Sequence, residues 1–492
     1  MKKTLLFTNL WLCLVCILYA QGRDSYWLLG YENNMGSSAF GGTDIIFGAN
    51  ESMNIQAHNR VINISKTFAA IANEKGELLF YTNGSLIGNK NHDTLETRLY
   101  HPKELDIDDK KGLWLPMMAV ILPILSDTNQ FYIFHSTMYY TNLSPFSSFG
   151  KNIYCTKIDK SLNNGDGGVV FANQVVLEDS TLSTGTLSVV RHGNGRDWWL
   201  VMPTAYLDQY YTLLIENDIP QIPILRTINE FAHTLFPAGG QCVFTPNGQK
   251  YLRHRAYGVV DMIAFDRCTG LMTNGKSFTC GTGGWLGIAS SPNSRFLYVS
   301  ENGQKINQYD LWVMDIATSK IEVAVHNGQG SIFGGFGFGY LAPNNKIYFV
   351  DNTNTLTVIE NPDSLGLACN VLQHSVILPT INGNTVPNHP NYALSALDGS
   401  ACDTLGLSNQ SAVNSKQVKV YPNPAQNYVQ VELPQGVKEA TFVLYNGLGQ
   451  VVHSQALSQQ NTRIFIGNWT KGLYFYQAFT KEGKMYGKLQ IE

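Results

Sequence analysis

The chain has 492 residues and a formal net charge of −3; only 14% of it is charged and 12% is aromatic. That length can bury more than one core, and abundant Gly, Asn, Tyr and Phe suit strands joined by tight turns better than long helices or disorder. There is no basic block and no basic–aromatic stripe, so nucleic acid is a poor fit as a partner.

Residues 1–20 read as a secretory signal, with Lys2 and Lys3 ahead of the apolar run 5–19 and a small residue, Ala20, before Gln21. The apolar run is too short for an anchor, and no other stretch is long and apolar enough to span a membrane, so no transmembrane anchor is expected. Cys16 follows Leu14 and Val15, which are too bulky for a lipoprotein cleavage box. Six cysteines remain after the signal: Cys155, Cys242, Cys268, Cys280, Cys369 and Cys402. An even count in an oxidising compartment favours disulfides. Cys268 with Cys280 and Cys369 with Cys402 are the two candidate pairs.

Residues 21–405 read as strand after strand. A hairpin over 68–84 turns on Asn73-Glu-Lys-Gly76, and one corner recurs as Phe244-Thr-Pro-Asn-Gly-Gln-Lys-Tyr-Leu252, Ser290-Ser-Pro-Asn-Ser-Arg-Phe-Leu297 and Leu341-Ala-Pro-Asn-Asn-Lys-Ile-Tyr348. Its prolines, Pro246, Pro292 and Pro343, stand 46 and 51 residues apart. Proline pre-sets φ at the first corner of a turn and Asn or Gly closes it. A period of 40–50 residues with about four short strands per unit is propeller-blade spacing. The predicted units are 27–90, 113–160, 168–216, 221–268, 276–317, 320–361 and a partial seventh from 371 to 394, which closes the ring near Trp27. The fold class expected is therefore all-β: a seven-bladed β-propeller, with six or eight blades or two stacked sandwiches as the alternatives.

Residues 406–416 are small and mostly polar, as in a flexible linker. From 417 to 492, six short alternating segments separated by Gly- and Asn-rich turns predict a small Ig-like β-sandwich.

Two resemblances accompany these readings. Tyr421-Pro422-Asn423-Pro424-Ala425, then the run 445–452 with Gly449, then Lys471-Gly472-Leu473-Tyr474-Phe475, then 487–491, resemble the type A sorting domain of the type IX secretion system of Bacteroidetes. Trp469 and the final Glu492 depart from that pattern. The resemblance implies a cleavable address read by the type IX secretion machinery, and a product secreted or attached to the outer cell surface by way of the periplasm. Asn83-Gly84, the run 192–199, the run 291–298 and Pro387-Asn-His-Pro-Asn-Tyr392 resemble the seven-bladed, WD40-like propellers of secreted Bacteroidetes proteins; no activity comes with that resemblance.

Candidate chemistry is sparse. His192, Arg196 and Asp197 share a Gly-rich turn and offer a binding group or a general acid. His101, His135, His233, His254, His374 and His389 are scattered without metal-ligand spacing, and no metal is expected. Glu104, Asp106, Asp108 and Asp109 form an acidic loop suited either to glycoside hydrolysis or to solvation. Asp159, Asn163 and Asp166 offer oxygens for Ca²⁺ but lack the spacing of a Ca²⁺ loop; no other cofactor is expected. Gly281-Thr-Gly-Gly284 and the run 334–339 lack the Lys-Ser/Thr of a phosphate loop, and no Gly-x-Ser-x-Gly turn is present. Tyr139, Tyr140, Tyr206, Tyr210 and Tyr211 either present rings to a ligand or fill gaps between blades. The expectation is an exported propeller that binds a polysaccharide or protein partner through its blade loops, more a binder than an enzyme. The alternatives are an extracellular hydrolase with loop carboxylates around the axis, and a scaffold of a surface complex.

Overall fold

A strand wedged between two neighbours buries both of its faces, so it reads as continuously apolar where a one-sided strand alternates. Tyr26–Gly30, Ala69–Ala72 and Ala119–Pro123 are of the first kind, with every residue buried. The computed structural model describes residues 22–403 and 418–492, apart from 33–35, 49–50, 65, 142–147, 237–238, 256, 282–286, 330–334, 435, 447–450 and 481–482. The chain divides into two compact units, Met1–Asp403 and Thr404–Glu492. The predicted signal segment 1–20 and linker 406–416 lie outside the described residues.

The described strands of the first unit form seven antiparallel sheets in chain order. The first holds Tyr26–Gly30, Gly42–Phe47 and Met53–His58, and the second Ala69–Ala72, Leu78–Thr82 and Ile87–Asn89. The third holds Ala119–Pro123, Gln130–Tyr140, Ser148–Asp159 and Gly168–Leu182. The fourth runs from Ser188–Arg191 through Trp198–Pro203 and Gln209–Glu216 to Ile224–Thr227. The fifth comprises Cys242–Phe244, Lys250–Arg255, Val259–Phe265 and Met272–Thr279; the sixth Ile288–Ser290, Phe296–Glu301, Lys305–Asp310 and Ile321–Val325; the seventh Gly339–Leu341, Ile347–Val350, Thr355–Ile359 and Val371–Ile377.

The apolar clusters show how these sheets are arranged. Five of them join successive sheets: Phe68 and Tyr81 with Leu28, Trp198 with Ile121, Tyr210 with Tyr251, Leu297 with Leu252, Phe349 with Tyr298. A further cluster joins the ends, packing Trp27, Ile45 and Phe47 of the first sheet on Tyr348, Val350 and Leu356 of the seventh. Trp27 meets Phe47, Tyr340 and Tyr348 edge-on at 4.9, 5.8 and 5.8 Å. Burying a side chain of this size contributes roughly 1.5–3 kcal/mol, and a sheet packed on both neighbours all the way round is a closed propeller.

Several unit boundaries differ from the sequence reading. Residues 27–90 make two sheets, not one. Gly168–Leu182 pairs with Ser148–Asp159 and ends the third sheet, where the alternation suggested the start of a new unit. Val371–Ile377 is the outer strand of the seventh sheet, paired with Thr355–Ile359. The stretch after it closes the ring: Gly383 N–H donates to Gly30 O at 2.9 Å, Ile381 N–H to Ala39 O at 2.8 Å, and the Thr380 and Thr43 hydroxyls bond at 2.7 Å. Alternation reports which face is buried, and it is the same whether a strand begins a blade or ends one.

Among the described residues one disulfide is formed, Cys268–Cys402, across 134 residues. This corrects both predicted pairs. Cys268 and Cys280 stand at opposite ends of the eight-residue strand Met272–Thr279; at about 3.3 Å per residue that separation far exceeds the ~5.5 Å a disulfide spans. Cys280 and Cys369, with Cys155 and Cys242, are free and buried.

The second unit is a sandwich. Lys419–Tyr421, Tyr428–Glu432 and Asn461–Phe465 form one sheet, and Ala440–Tyr445, Val451–Leu457, Gly472–Thr480 and Gly483–Ile491 the other. Val429, Val431, Phe442, Leu444, Ile464 and Leu489 fill the space between.

Candidate functional site

The inner strands and their first turns surround a cavity of about 860 Å³ in the first unit. All three Pro-Asn corners stand at it, through Pro246, Pro292 and Pro343, and the Glu74-Lys75 turn of the second sheet stands there too. The corners are tied sideways, since Ser294 Oγ accepts from Asn247 N at 3.1 Å and Asp363 Oδ1 from Asn293 N at 3.0 Å. Gln241 bridges the inner strands beside the axis, donating to Gly339 O at 2.6 Å and accepting from Ile288 N at 2.9 Å.

Residues 388–394 cross this cavity wall. Asn388 Nδ2 donates to Ala119 O and Leu187 O, both at 2.9 Å, and Tyr392 OH to Ile121 O at 2.7 Å. Arg191 Nη2 reaches Tyr392 O at 2.8 Å and stacks its guanidinium 3.9 Å from the Trp198 ring centre, while Arg267 holds Ser395 O. Cys402 then fastens the end of the segment to Cys268. The run 387–392 noted in the sequence is thus a strap bonded to the third and fourth sheets.

The cavity wall mixes apolar groups (Val243, Ile288, Leu341, Leu394) with Ser188, Ser290, Asn344 and Asn391. Its acidic groups differ in circumstance. Glu51 lies 3.4 Å from the Lys346 amine, and Glu74 lies 3.6 Å from the Arg23 guanidinium. Among the described residues Asp24 has no ion-pair partner, and dense surroundings push its carboxyl up to about 6, opposed only by a bond from its own backbone. Water reaches it, for it is partly exposed and lines the cavity. His389 is buried with neither ring nitrogen bonded to a side chain, and burial pushes it down to about 3.

His389 apart, the candidate residues singled out by the sequence do not converge here. His192, Arg196 and Asp197 form the turn between Ser188–Arg191 and Trp198–Pro203. Asp197 accepts from Arg196 Nε at 2.8 Å, from Asn194 Nδ2 at 2.7 Å and from Asn217 N at 3.0 Å; His192 Nε2 sits 2.9 Å from Cys268 O. Tyr139 OH donates to Ser180 O at 2.7 Å. Tyr206 stacks on His233 at 4.3 Å, and His233 Nδ1 is 3.0 Å from Asp208. Asp159 accepts from Ser161 and Gln130, Asn163 donates to Gly167 O, and Asp166 accepts from Asn91 with Lys90 at 3.9 Å. Asp109 pairs with Arg98 and accepts from Ser85.

Two features went unread in the sequence. Asp24 sits alone just after the predicted signal segment, with no motif around it. Asp44, His58 and His92 bring their ligand atoms within 4.8 Å of one another, at separations that match no metal motif.

In the second unit, Tyr421 OH donates to Glu432 at 3.2 Å, and the Pro-Asn-Pro turn is laced to the last strand by Asn423 Nδ2 to Lys488 O and Gln490 N to Asn423 Oδ1, both at 2.9 Å. Tyr474 OH donates to Thr470 O at 2.7 Å, Gly472 opens its strand at φ +150°, and Gly449 lies outside the described residues. Residues 419–492 match the family described as the secretion system C-terminal sorting domain. The second unit is a type IX sorting domain. A sorting domain of this kind directs the chain to secretion or cell-surface attachment through the type IX machinery. Among the described residues no helix is long and apolar enough to cross a membrane. No curated protein sequence matches the chain. Among solved structures, the chain is similar to the periplasmic gluconolactonase of Pseudomonas aeruginosa, at 15% identity over 73% of this chain and 97% of that one, TM-score 0.38. It is also similar to Hsv2 of Kluyveromyces lactis, at 12% identity over 68% and 93%, TM-score 0.35.

Proposed function

We propose that the propeller ahead of the sorting domain is an exported binding protein, and that its axial cavity takes the hydroxyl-bearing end of a polysaccharide. The volume falls within the roughly 300–1,000 Å³ of small-ligand sites. The mixed wall suits a sugar, whose rings carry apolar faces and hydroxyl edges. The observation that carries this reading is Asp24, a carboxylate without a counter-ion that opens on the cavity. Such a group gains a charge-assisted hydrogen bond when a donor arrives. Two-carboxylate hydrolysis is less well supported, because Glu51 and Glu74 each lie beside a cation.

The test is a glycan array followed by calorimetry on the exported chain, with an Asp24→Asn variant and a parallel hydrolysis screen. Binding without turnover is expected, weakened about tenfold or more in the variant, in line with ~1.5–3 kcal/mol for a hydrogen bond to a charged group. Turnover lost in Asp24→Asn would replace the binding reading with a catalytic one, and a protein ligand in place of a glycan would overturn the substrate class.

A further inference from the structure

We propose that Asp44, His58 and His92 form a binding site for a divalent cation of the zinc type, which staples the first sheet of the propeller to the second. Asp44 lies on Gly42–Phe47, and His58 ends the neighbouring strand Met53–His58. Their register sets Gly42 opposite His58 and Asp44 opposite Gln56, which puts both side chains on one face. His92 comes from the turn after Ile87–Asn89 in the second sheet, where its N–H donates to Asn89 O at 3.0 Å. The two imidazoles lie close together, their ring centres 3.9 Å apart and their planes tilted by 39°.

The second observation is His58 itself. Its Nδ1 is buried and has no hydrogen-bond partner, a state that costs free energy unless something else satisfies it. His92 Nδ1 lies 3.3 Å from Tyr81 OH, which leaves its other ring nitrogen for a ligand. Asp44 is fully buried and held in place, accepting from Tyr26 OH at 2.9 Å and from Arg60 Nη1 at 2.5 Å. A metal-binding carboxylate is commonly oriented by outer partners in this way.

Donor chemistry selects the ion. Two imidazoles and one carboxylate suit zinc, copper or nickel and not magnesium or calcium, which take oxygen ligands. Three protein ligands leave a further position for water. Ligand atoms around a tetrahedral zinc stand roughly 3.3 Å apart at ~2.0–2.1 Å from the ion, so closing from 4.8 Å requires side-chain rotation of about an ångström. Arg60 opposes the added charge, and the site is therefore expected to be selective by ligand type and moderate in affinity. The ion would sit beside the ring closure, since Thr43, next to Asp44, bonds Thr380.

The experiment uses the untagged full chain, sorting domain included, freed of metal with a chelator. Zinc is expected to bind with one-to-one stoichiometry and raise the melting temperature, whereas magnesium and calcium leave it unchanged. His58→Gln and His92→Gln should each weaken zinc binding at least tenfold, whereas His453→Gln, in the sorting domain, should not. Cobalt should give the visible absorption of a low-coordinate site in the unsubstituted chain, a readout that does not depend on the variants folding. Absence of zinc uptake, or uptake that persists unchanged in both His58→Gln and His92→Gln, would overturn the proposal.

Discussion

Asp24 and His389 share the cavity wall but respond to burial in opposite directions, because burial disfavours whichever form is charged. His135, His254 and His389 are pushed down to about 3, each chiefly by burial. Their folded values lie below the unfolded 6.5, so the stability they contribute is present above pH 6.5 and lost as pH falls through the range beneath it. Asp24 and Asp351 are pushed up by burial to about 6 and about 7, so they favour the folded state progressively as pH falls from 7 towards 4. The histidines outnumber the two acids, and the net expectation is a melting temperature that drops between pH 6.5 and 4. Melts across that range check it; a flat or rising profile would show that the histidines are not held neutral. None of this could be read from the chain. A histidine carries no mark in the chain of whether its ring will meet a carboxylate, as His233 meets Asp208, or an apolar wall.

At the scale of the element, the Pro-Asn corner carries the most information. Its closing residue has positive φ in all three copies: Gly248 at 71°, Ser294 at 64° and Asn345 at 62°. Those are Gly, Ser and Asn, residues that suit such turns. Position 248 is also crowded. A Cβ there would stand 2.8 Å from Arg267 Cδ and 2.9 Å from both Leu394 and Val190. Gly248→Ala is therefore expected to cost about 1–3 kcal/mol, from overpacking together with strain. A chemical-denaturation midpoint measures this; an unchanged midpoint would mean that the strap is not pressed against the corner. The corner's existence, position and turn chemistry were legible, because local sterics dictate them. Its contact with Leu394 was not, because that contact joins residues far apart in the chain.

At the scale of the molecule, the first unit is a ring whose end is tied down late in its sequence. The strap 388–394 bonds the third and fourth sheets, and Cys402 is linked to Cys268. Closing a loop of 134 residues restricts the unfolded chain, an effect of about 2–4 kcal/mol in typical cases. Cys402→Ser should lower the melting temperature, and a reductant should do the same to the unsubstituted chain and nothing further to the variant. Equal melting of both chains with and without reductant would show that strap and ring hold without the bond. Cys268 and Cys280 do not meet for a geometric reason: nearness along the chain is not nearness in space, and a strand separates its two ends.

The chain alone dictated the all-β class, the Pro-Asn corners at blade spacing, the terminal sandwich and its sorting markers, because each depends on alternation, turn sterics or a run of contiguous residues. Tertiary structure decided where each blade begins, which cysteines meet, that the corners face one cavity holding a lone Asp24, and that Asp44, His58 and His92 come together. Each of those depends on which strand bonds to which and on the closing of a ring, and hydrogen-bond partners chosen across hundreds of residues leave no local trace.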